Sequence, residues 1–187
     1  MPAPVAFELQ PLLTGERLVL RPLEPGDFPA LFAAASDPLI WEQHPESDRW
    51  REDVFRAYFD GGLASGGALV AIDRANGRVI GSSRYANLTA DGREIEIGWT
   101  FLERPYWGGS YNREMKVLMI GHALKFVECV VFLVGADNLR SQMALLKIGA
   151  RFRGPTERSD RFGNPMRYTI YAIDRAAWKA QESGAVA

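Results

Sequence analysis

The sequence has a single cysteine, Cys129, and only two histidines, His44 and His122, in 187 residues. One cysteine excludes a disulfide within the chain, which is typical of proteins in a reducing compartment such as the cytoplasm. The two histidines lie far apart, and no cysteine or histidine pair has the spacing of a metal site, so no metal cofactor is expected.

Long apolar runs and an excess of one charge are also missing. No run approaches the roughly 20 residues that cross a bilayer, and the N-terminal segment lacks the early basic residues of a signal peptide. With 22 basic and 23 acidic residues the net charge is -1, which provides no overall attraction to nucleic acid or anionic lipid. We therefore expect a cytoplasmic protein without nucleic-acid or membrane partners. Its length suits one domain, expected at 14–178, between an N-terminal arm (1–13) and a C-terminal tail (179–187).

The hydrophobic patterns predict an α/β protein. Its central sheet of about seven strands is mixed and mostly antiparallel, flanked by helices, with one βαβ crossover. Strands are expected at 17–22, 68–73, 79–88, 94–102, 130–135, 150–154 and 166–173. Helices are expected at 28–35, at 112–127, at 138–148, at 174–181, and from Ser47 or Asp48 to about 64.

The most informative segment is 94–116, EIEIGWTFLERPYWGGSYNREMK. An alternating strand leads through a Pro-aromatic-Gly-Gly turn directly into a long amphipathic helix. The first turn of a helix has unpaired N–H groups and the positive end of the helix dipole, so this corner suits a phosphate group.

Two motifs, EIGWTFLERPYWGGSYNREM and NLRSQMALLKIGA, resemble segments of the GCN5-related N-acetyltransferases (GNAT family). The likeness is to the RimJ/RimL-like branch, which acetylates the N-termini of ribosomal proteins. A third segment, ERLVLRPLEPGDFPALF, is similar to the opening strand and helix of the family. Together the resemblance covers roughly Thr14 to Trp178.

The resemblance implies acetyl-CoA as co-substrate and a primary amine, either a small molecule or a protein N-terminus, as acceptor. The amine would attack the thioester directly in a ternary complex, and a homodimer is compatible with the family. The resemblance assigns the pantetheine arm to the backbone near Thr100, Phe101 and Leu102. It assigns the pyrophosphate loop to Trp107, Gly108, Gly109, Ser110, Tyr111 and Asn112, and the far side of the cofactor to Asn138 and Ser141.

The chain departs from the family pattern in two places. Trp107, Ser110 and Asn112 stand where the loop usually has Arg or Gln, Gly, and Gly or Ala. Leu145 stands where many relatives have a tyrosine acid, so water or Tyr111 would have to protonate the leaving thiolate. Trp107 and Tyr111 either stack on the cofactor or pack the loop against the core.

A carboxylate near the cleft can take the proton of the acceptor ammonium. Glu96 is the candidate base because it lies nearer the exit of its strand than Glu94, on the same face; the alternative is that both are solvent-face glutamates. Candidate acceptor contacts are Trp41, Glu42, His44, Tyr85 and Trp99. Trp41 either holds the amine by a cation–π contact or packs inward, and for His44 the alternative of a purely structural place in the loop between the first two helices is favoured.

Three further features have alternative interpretations. His122, on the apolar helix stripe, is expected in the core. The five arginines of 151–167 have three alternative roles: they belong to a solvated hairpin, they contact the acceptor or the CoA 3′-phosphate, or they bind an acidic partner. The alternative function is a CoA sensor or interaction module with little catalysis, and a nucleotide-binding module is disfavoured because GGSYN matches neither phosphate-binding glycine motif.

Overall fold

The computed structural model describes residues 6–184, so the ends of the expected arm and tail, 1–5 and 185–187, lie outside the described residues. The strands are β1 (Leu13–Thr14), β2 (Leu18–Pro22), β3 (Ala68–Asp73), β4 (Val79–Ala86), β5 (Glu94–Leu102), β6 (Cys129–Gly135), β7 (Arg151–Ser159) and β8 (Pro165–Asp174). The helices are α1 (Phe28–Ala35), α2 (Glu52–Ser65), α3 (Ser110–Ala123), α4 (Leu139–Lys147) and α5 (Arg175–Gly184). Within 6–184, no helix is both long and apolar enough to cross a bilayer.

The strands form one sheet of eight in the order β1-β2-β3-β4-β5-β6-β8-β7. Every neighbouring pair is antiparallel except β5 and β6, which are parallel and joined through α3. The prediction of a mixed, mostly antiparallel sheet with one βαβ crossover is confirmed. The eighth strand, β1, is only two residues long and has too few residues to show a periodic pattern.

Several boundaries differ from the sequence prediction: the helix expected at 112–127 runs from Ser110 to Ala123, and two larger differences concern α2 and β7. The helix expected from Ser47 or Asp48 begins only at Glu52, because residues 41–51 form turns held by ion pairs such as Arg49–Glu46. The loop expected at 155–165 is mostly strand, since β7 continues to Ser159 in register with β8 after a bulge next to Gly154.

Two clusters of buried side chains cover the two faces of the sheet. One contains Met115, Met119 and Ile120 of α3 against Leu20, Ile95 and Val130 of the strands. The other contains Phe28 and Leu31 of α1 and Phe55 and Phe59 of α2 against Phe101 of β5. His122 is buried on the α3 side of the sheet, as predicted, and its Nε2 lies 2.9 Å from the Glu8 carbonyl oxygen.

Candidate functional site

The parallel strands β5 and β6 separate halfway along their length. They pair only from Glu94↔Cys129 to Glu96↔Val131, although β5 continues to Leu102 and β6 to Gly135. At the point of separation Trp99 has a φ of 51°, and the register of β5 against β4 shifts between Ser82 and Arg84. The result is a wedge-shaped gap, the β5–β6 gap, whose β5 edge is not paired to a neighbouring strand.

The N-terminus of α3 lies just beyond the end of β5. Gly109 is the N-cap residue; it makes no side-chain cap, and the first turn carries no acidic residue. Gly108 has a φ of 69°, a conformation that glycine adopts without strain. A Cβ added to Gly109 would meet nothing closer than the Trp107 carbonyl oxygen at 4.0 Å. The corner is therefore open, and its N–H groups and dipole favour an anion.

Trp107 anchors the loop that precedes α3. Its Nε1 donates to the Leu102 carbonyl oxygen at 2.9 Å, and the Arg140 guanidinium lies 3.9 Å from the ring centroid. Arg140 also donates to the Ile40 carbonyl oxygen at 3.1 Å. Trp107 thus packs the loop against the core, which is one of its two alternatives.

Asp73 at the end of β3 fixes the same loop from the other side. The Tyr106 and Tyr111 hydroxyls donate to its carboxylate at 3.1 and 3.2 Å, and Asn76 Nδ2 donates at 2.8 Å. Burial would raise the pKa of Asp73, but these bonds and the Ala75 N–H bring the pKa below its ordinary value. Burial and the bond to Asp73 raise the pKa of Tyr111, and this hydroxyl, the proton donor considered above, directs its proton to the Asp73 carboxylate.

We expect Asp73→Asn to lower the melting temperature by roughly 4–8 °C at pH 7, since losing hydrogen bonds to a buried carboxylate costs about 2 kcal/mol. Thermal denaturation of both proteins measures this, with Asp60→Asn at an exposed site of α2 as the control. The lowered pKa means that the stabilisation is present above the unfolded pKa of about 3.9 and is lost as pH falls through the folded pKa. The difference in melting temperature between the wild type and Asp73→Asn should therefore shrink in acid. A difference that grows in acid would contradict the stabilising role of the ionised Asp73.

Thr100, Phe101 and Leu102 line the β5 side of the gap. The Thr100 Oγ1 lies 2.7 Å from Ser83 Oγ and accepts from Lys116 Nζ at 2.6 Å. Phe101 and Leu102 are buried, and the Phe101 ring packs against Trp41 with a centroid distance of 5.2 Å. Across the gap, Asn138 caps α4 by accepting from the Ser141 N–H at 3.1 Å, which presents a second helix N-terminus.

Glu96 is buried, with 2% of its surface exposed, and is therefore not a solvent-face glutamate. Its Oε2 accepts from Asn87 Nδ2 at 2.6 Å and from Arg158 Nη2 at 2.5 Å. Its Oε1 points toward Gly98, where an added Cβ would lie 3.1 Å away, and accepts no hydrogen bond from residues 6–184. Glu94 instead pairs with Arg153 at 3.0 Å and is half-buried. Of the two glutamates, only Glu96 places a carboxylate oxygen at the bulge where the β5–β6 gap opens.

Three expected acceptor contacts are occupied by the protein itself. Trp41 is buried, donates to the Ala35 carbonyl oxygen at 2.8 Å, and has Arg49 as its cation–π partner at 5.6 Å. Burial and the Arg49 charge hold the pKa of His44 well below its ordinary value, so His44 is neutral at pH 7. Tyr85 lies in the core, where its hydroxyl donates to the Met119 carbonyl oxygen at 2.8 Å. Trp41 and Tyr85 thus pack into the interior, whereas His44 is only partly buried.

Glu42 and Trp99 remain near open surface. Glu42 is half-exposed, 3.6 Å from Arg140, and lines a depression together with His44, Pro45, Gly135 and Asp137. Trp99 is partly exposed at the bulge, and its carbonyl oxygen accepts from the Tyr58 hydroxyl at 2.5 Å.

A set of residues that the sequence analysis did not identify surrounds Trp99. We call Arg49, Arg84, Arg158, Tyr58 and Trp99 the arginine–aromatic cluster. Arg84 and Arg158 lie 4.7 and 5.6 Å from the Trp99 ring centroid, and Arg49 lies 5.2 Å from that of Tyr58. Arg49 and Arg158 pair with Glu46 and Glu96. Arg84 is buried, its Nε has no hydrogen-bond partner, and no ion pair joins it to a described residue.

The arginine-rich hairpin is largely neutralised within the molecule. Arg153, Arg158, Arg161 and Arg167 pair with Glu94, Glu96, Asp48 and Asp137. These pairs link β7 and β8 to β5 and to the loop before α2, so the hairpin has little free charge for an acidic partner. Among residues 6–184, no group of three metal-ligating side chains is present.

The family model "Acetyltransferase (GNAT) domain" matches residues 17–151. No curated protein matches the sequence. A GCN5-related N-acetyltransferase from Brucella melitensis superposes with a TM-score of 0.83 at 19% identity, covering 95% of this chain and 84% of that one.

Two further solved structures were determined with CoA compounds. RimJ from Mycobacterium smegmatis, in complex with CoA-disulfide, has a TM-score of 0.64 at 19% identity, with 84% and 81% of the chains covered. Spermidine N-acetyltransferase from Vibrio cholerae, in complex with CoA and spermine, has a TM-score of 0.68 at 15% identity, with 88% and 99% covered. At these identities the structures show a shared fold, whereas the family model spans most of the sequence. The chain belongs to the GNAT acetyltransferase family.

Proposed function

We propose that this protein transfers an acetyl group from acetyl-CoA to a primary amine by direct attack in a ternary complex. The observation that carries the proposal is the β5–β6 gap beside the uncapped N-terminus of α3. The diphosphate would bind the N–H groups of Gly109 to Asn112, and the pantetheine arm would pair with the free edge of β5 at Thr100–Leu102. The RimJ and spermidine N-acetyltransferase structures each hold a CoA compound, which supports a CoA thioester as the co-substrate here.

The acceptor amine would enter at the Trp99 bulge, where Glu96 Oε1 can take its proton. Holding the amine and the thioester in contact supplies a large part of the rate acceleration. The main-chain N–H groups of β5 beyond Glu96, no longer paired with β6, are available for the developing oxyanion. On the two motifs we place the protein in the RimJ/RimL-like branch, with the domain at 14–178.

The arginine–aromatic cluster indicates which amines are accepted. Three guanidinium groups face only two carboxylates there, and Arg84 is a buried cation without a counter-ion among the described residues. A second ammonium on the acceptor would be repelled, whereas a carboxylate would supply the missing charge. We therefore expect anionic amines or acidic N-terminal peptides to be better acceptors than polyamines.

The test is a thiol-release assay with acetyl-CoA and amines of matched length. We expect kcat/KM for β-alanine to exceed that for 1,3-diaminopropane by about tenfold or more, because like charges in a desolvated site interact strongly. Arg84→Met should abolish the preference. Faster turnover of the diamine would contradict the acceptor assignment, and binding of acetyl-CoA without thiol release from any amine would favour the CoA-sensing alternative.

A further inference from the structure

Lys116, on the second turn of α3, is a buried amine that the proposed mechanism has not used. It is 7% exposed, and its Nζ donates one hydrogen bond, to Thr100 Oγ1 at 2.6 Å. The same Nζ lies 5.5 Å from the ring centroid of Phe132 on β6. Thr100 and Phe132 both lie beyond the last paired residues, Glu96 and Val131, so Lys116 spans the β5–β6 gap.

Among residues 6–184, no carboxylate forms an ion pair with Lys116. Burial lowers the pKa of Lys116 to about 7, so the ammonium and the amine are both populated near neutrality. Charged and titratable groups on the neighbouring elements have other partners. Glu94 pairs with Arg153, Glu96 pairs with Arg158, and Glu114 accepts from the Arg17 N–H. Arg84 stacks on Trp99, Tyr85 donates to the Met119 carbonyl oxygen, and Cys129 contacts Arg153.

The tyrosines do not offer a better proton donor in the gap. Leu145 is buried at the position where the resemblance places a tyrosine. The hydroxyls of Tyr58, Tyr85, Tyr106, Tyr111 and Tyr171 all donate to protein acceptors. Tyr168 has no hydroxyl partner within 6–184, but it faces Arg49, Glu46, Arg158 and Glu96 on the acceptor side.

We propose that Lys116 is the general acid of the acetyl transfer, donating a proton from Nζ to the sulfur of CoA as the thioester bond breaks. This inference rests on the proposed function. The acceptor nitrogen forms the C–N bond with its lone pair, and the C–S bond breaks with its electron pair on sulfur. That pair takes the Lys116 proton. Glu96 takes the proton that the acceptor nitrogen loses and releases it to solvent, and neutral Lys116 is reprotonated from solvent.

The first test needs no acceptor. The protein is saturated with CoA, and ionisation of the thiol is followed by ultraviolet absorbance against a desulfo-CoA blank. An ammonium beside the sulfur should lower the thiol pKa by roughly 1–3 units from its ordinary value near 8.5. Lys116→Met should abolish this shift without loss of CoA affinity. Lys116→Gln, which retains a donor to Thr100, should do the same if the Met variant does not fold.

The second test measures kcat/KM for acetyl-CoA against pH. The protonated form of Lys116 is the active one, so activity should fall above about pH 7, and this limb should be absent in both variants. At pH 7 the variants should lose about 100-fold in kcat, within the usual range for a general acid. Lys125→Met, at an exposed lysine beyond the same helix, is the control.

The outcomes separate the two proposals. An unshifted thiol pKa in the wild-type complex, or a shift that persists in the Lys116 variants and disappears in Tyr168→Phe, would overturn the role of Lys116 and leave acetyl transfer intact. If the Lys116 variants lose CoA affinity but keep kcat and the fall in activity above about pH 7, Lys116 is only a binding residue. That result would also overturn its role as general acid. A shifted thiol pKa with no turnover of any amine would instead count against the proposed function.

Discussion

Gly109→Val is expected to weaken acetyl-CoA binding about 100-fold, because the loss of two charge-assisted hydrogen bonds at about 1.5 kcal/mol each corresponds to roughly this change in Kd. The substitution places a branched side chain at the opening of α3, where the proposal puts the diphosphate. The fold itself has room for it: the backbone of Gly109 has a φ of -113°, and a Cβ there meets no atom closer than 4.0 Å. Isothermal titration calorimetry measures the affinity.

The matched control is Gly121→Val, the same change near the other end of α3, where a Cβ also meets nothing within 4 Å. Both variants should melt within a few degrees of the wild type, and only Gly109→Val should lose affinity for acetyl-CoA. Gly108 is unsuitable for this test, because its φ of 69° would strain any other residue and mix a folding defect with a binding defect. Equal affinity of the Gly109 and Gly121 variants would remove the diphosphate from this corner.

Glu96→Gln is expected to lower kcat by about 100-fold or more while the Kd for acetyl-CoA stays within about twofold, the range found when a general base is removed. Glutamine keeps the volume of the buried side chain and an oxygen that can accept from Asn87 and Arg158. It cannot take the acceptor proton. Steady-state kinetics with a responsive amine measure kcat, and calorimetry measures the affinity.

Glu94→Gln is the control for this change. Glu94 lies two residues earlier on the same strand, pairs with Arg153 and is farther from the Trp99 bulge. The Glu94→Gln variant should retain nearly full activity. If Glu96→Gln turns over normally from low to high pH, the acceptor is deprotonated by another group or enters as the free amine.

The order of elements was predictable because it depends on local patterns. The alternation in 94–102, the Asn76-Gly77 turn and the apolar stripe of α3 each indicate their structure within a few residues. The end of β7 was not predictable, because its polar sequence is strand only where β8 pairs with it. The start of α2 depends on ion pairs such as Arg161–Asp48, which join residues far apart in the chain.

The site was predictable where it consists of main chain and only partly where it consists of side chains. The glycine turn and the free helix end follow from the sequence between Leu102 and Asn112. Burial is what distinguishes Glu96 from Glu94, and the sequence alternation placed both on one face. Lys116 follows Met115 on α3 and resembles a solvated lysine in sequence; only the separation of β5 and β6 places its amine in the gap. The arginine–aromatic cluster draws on four separate segments and has no local pattern.

The most direct test of the central claim is a crystal structure of the protein with acetyl-CoA bound. We expect the diphosphate oxygens about 3 Å from the N–H groups of Gly109 to Asn112, at ordinary hydrogen-bond length. We also expect the thioester to lie between Thr100 and Phe132, with its sulfur next to Lys116 Nζ. A bound cofactor whose diphosphate lies away from α3, or whose pantetheine arm remains outside the β5–β6 gap, would contradict it.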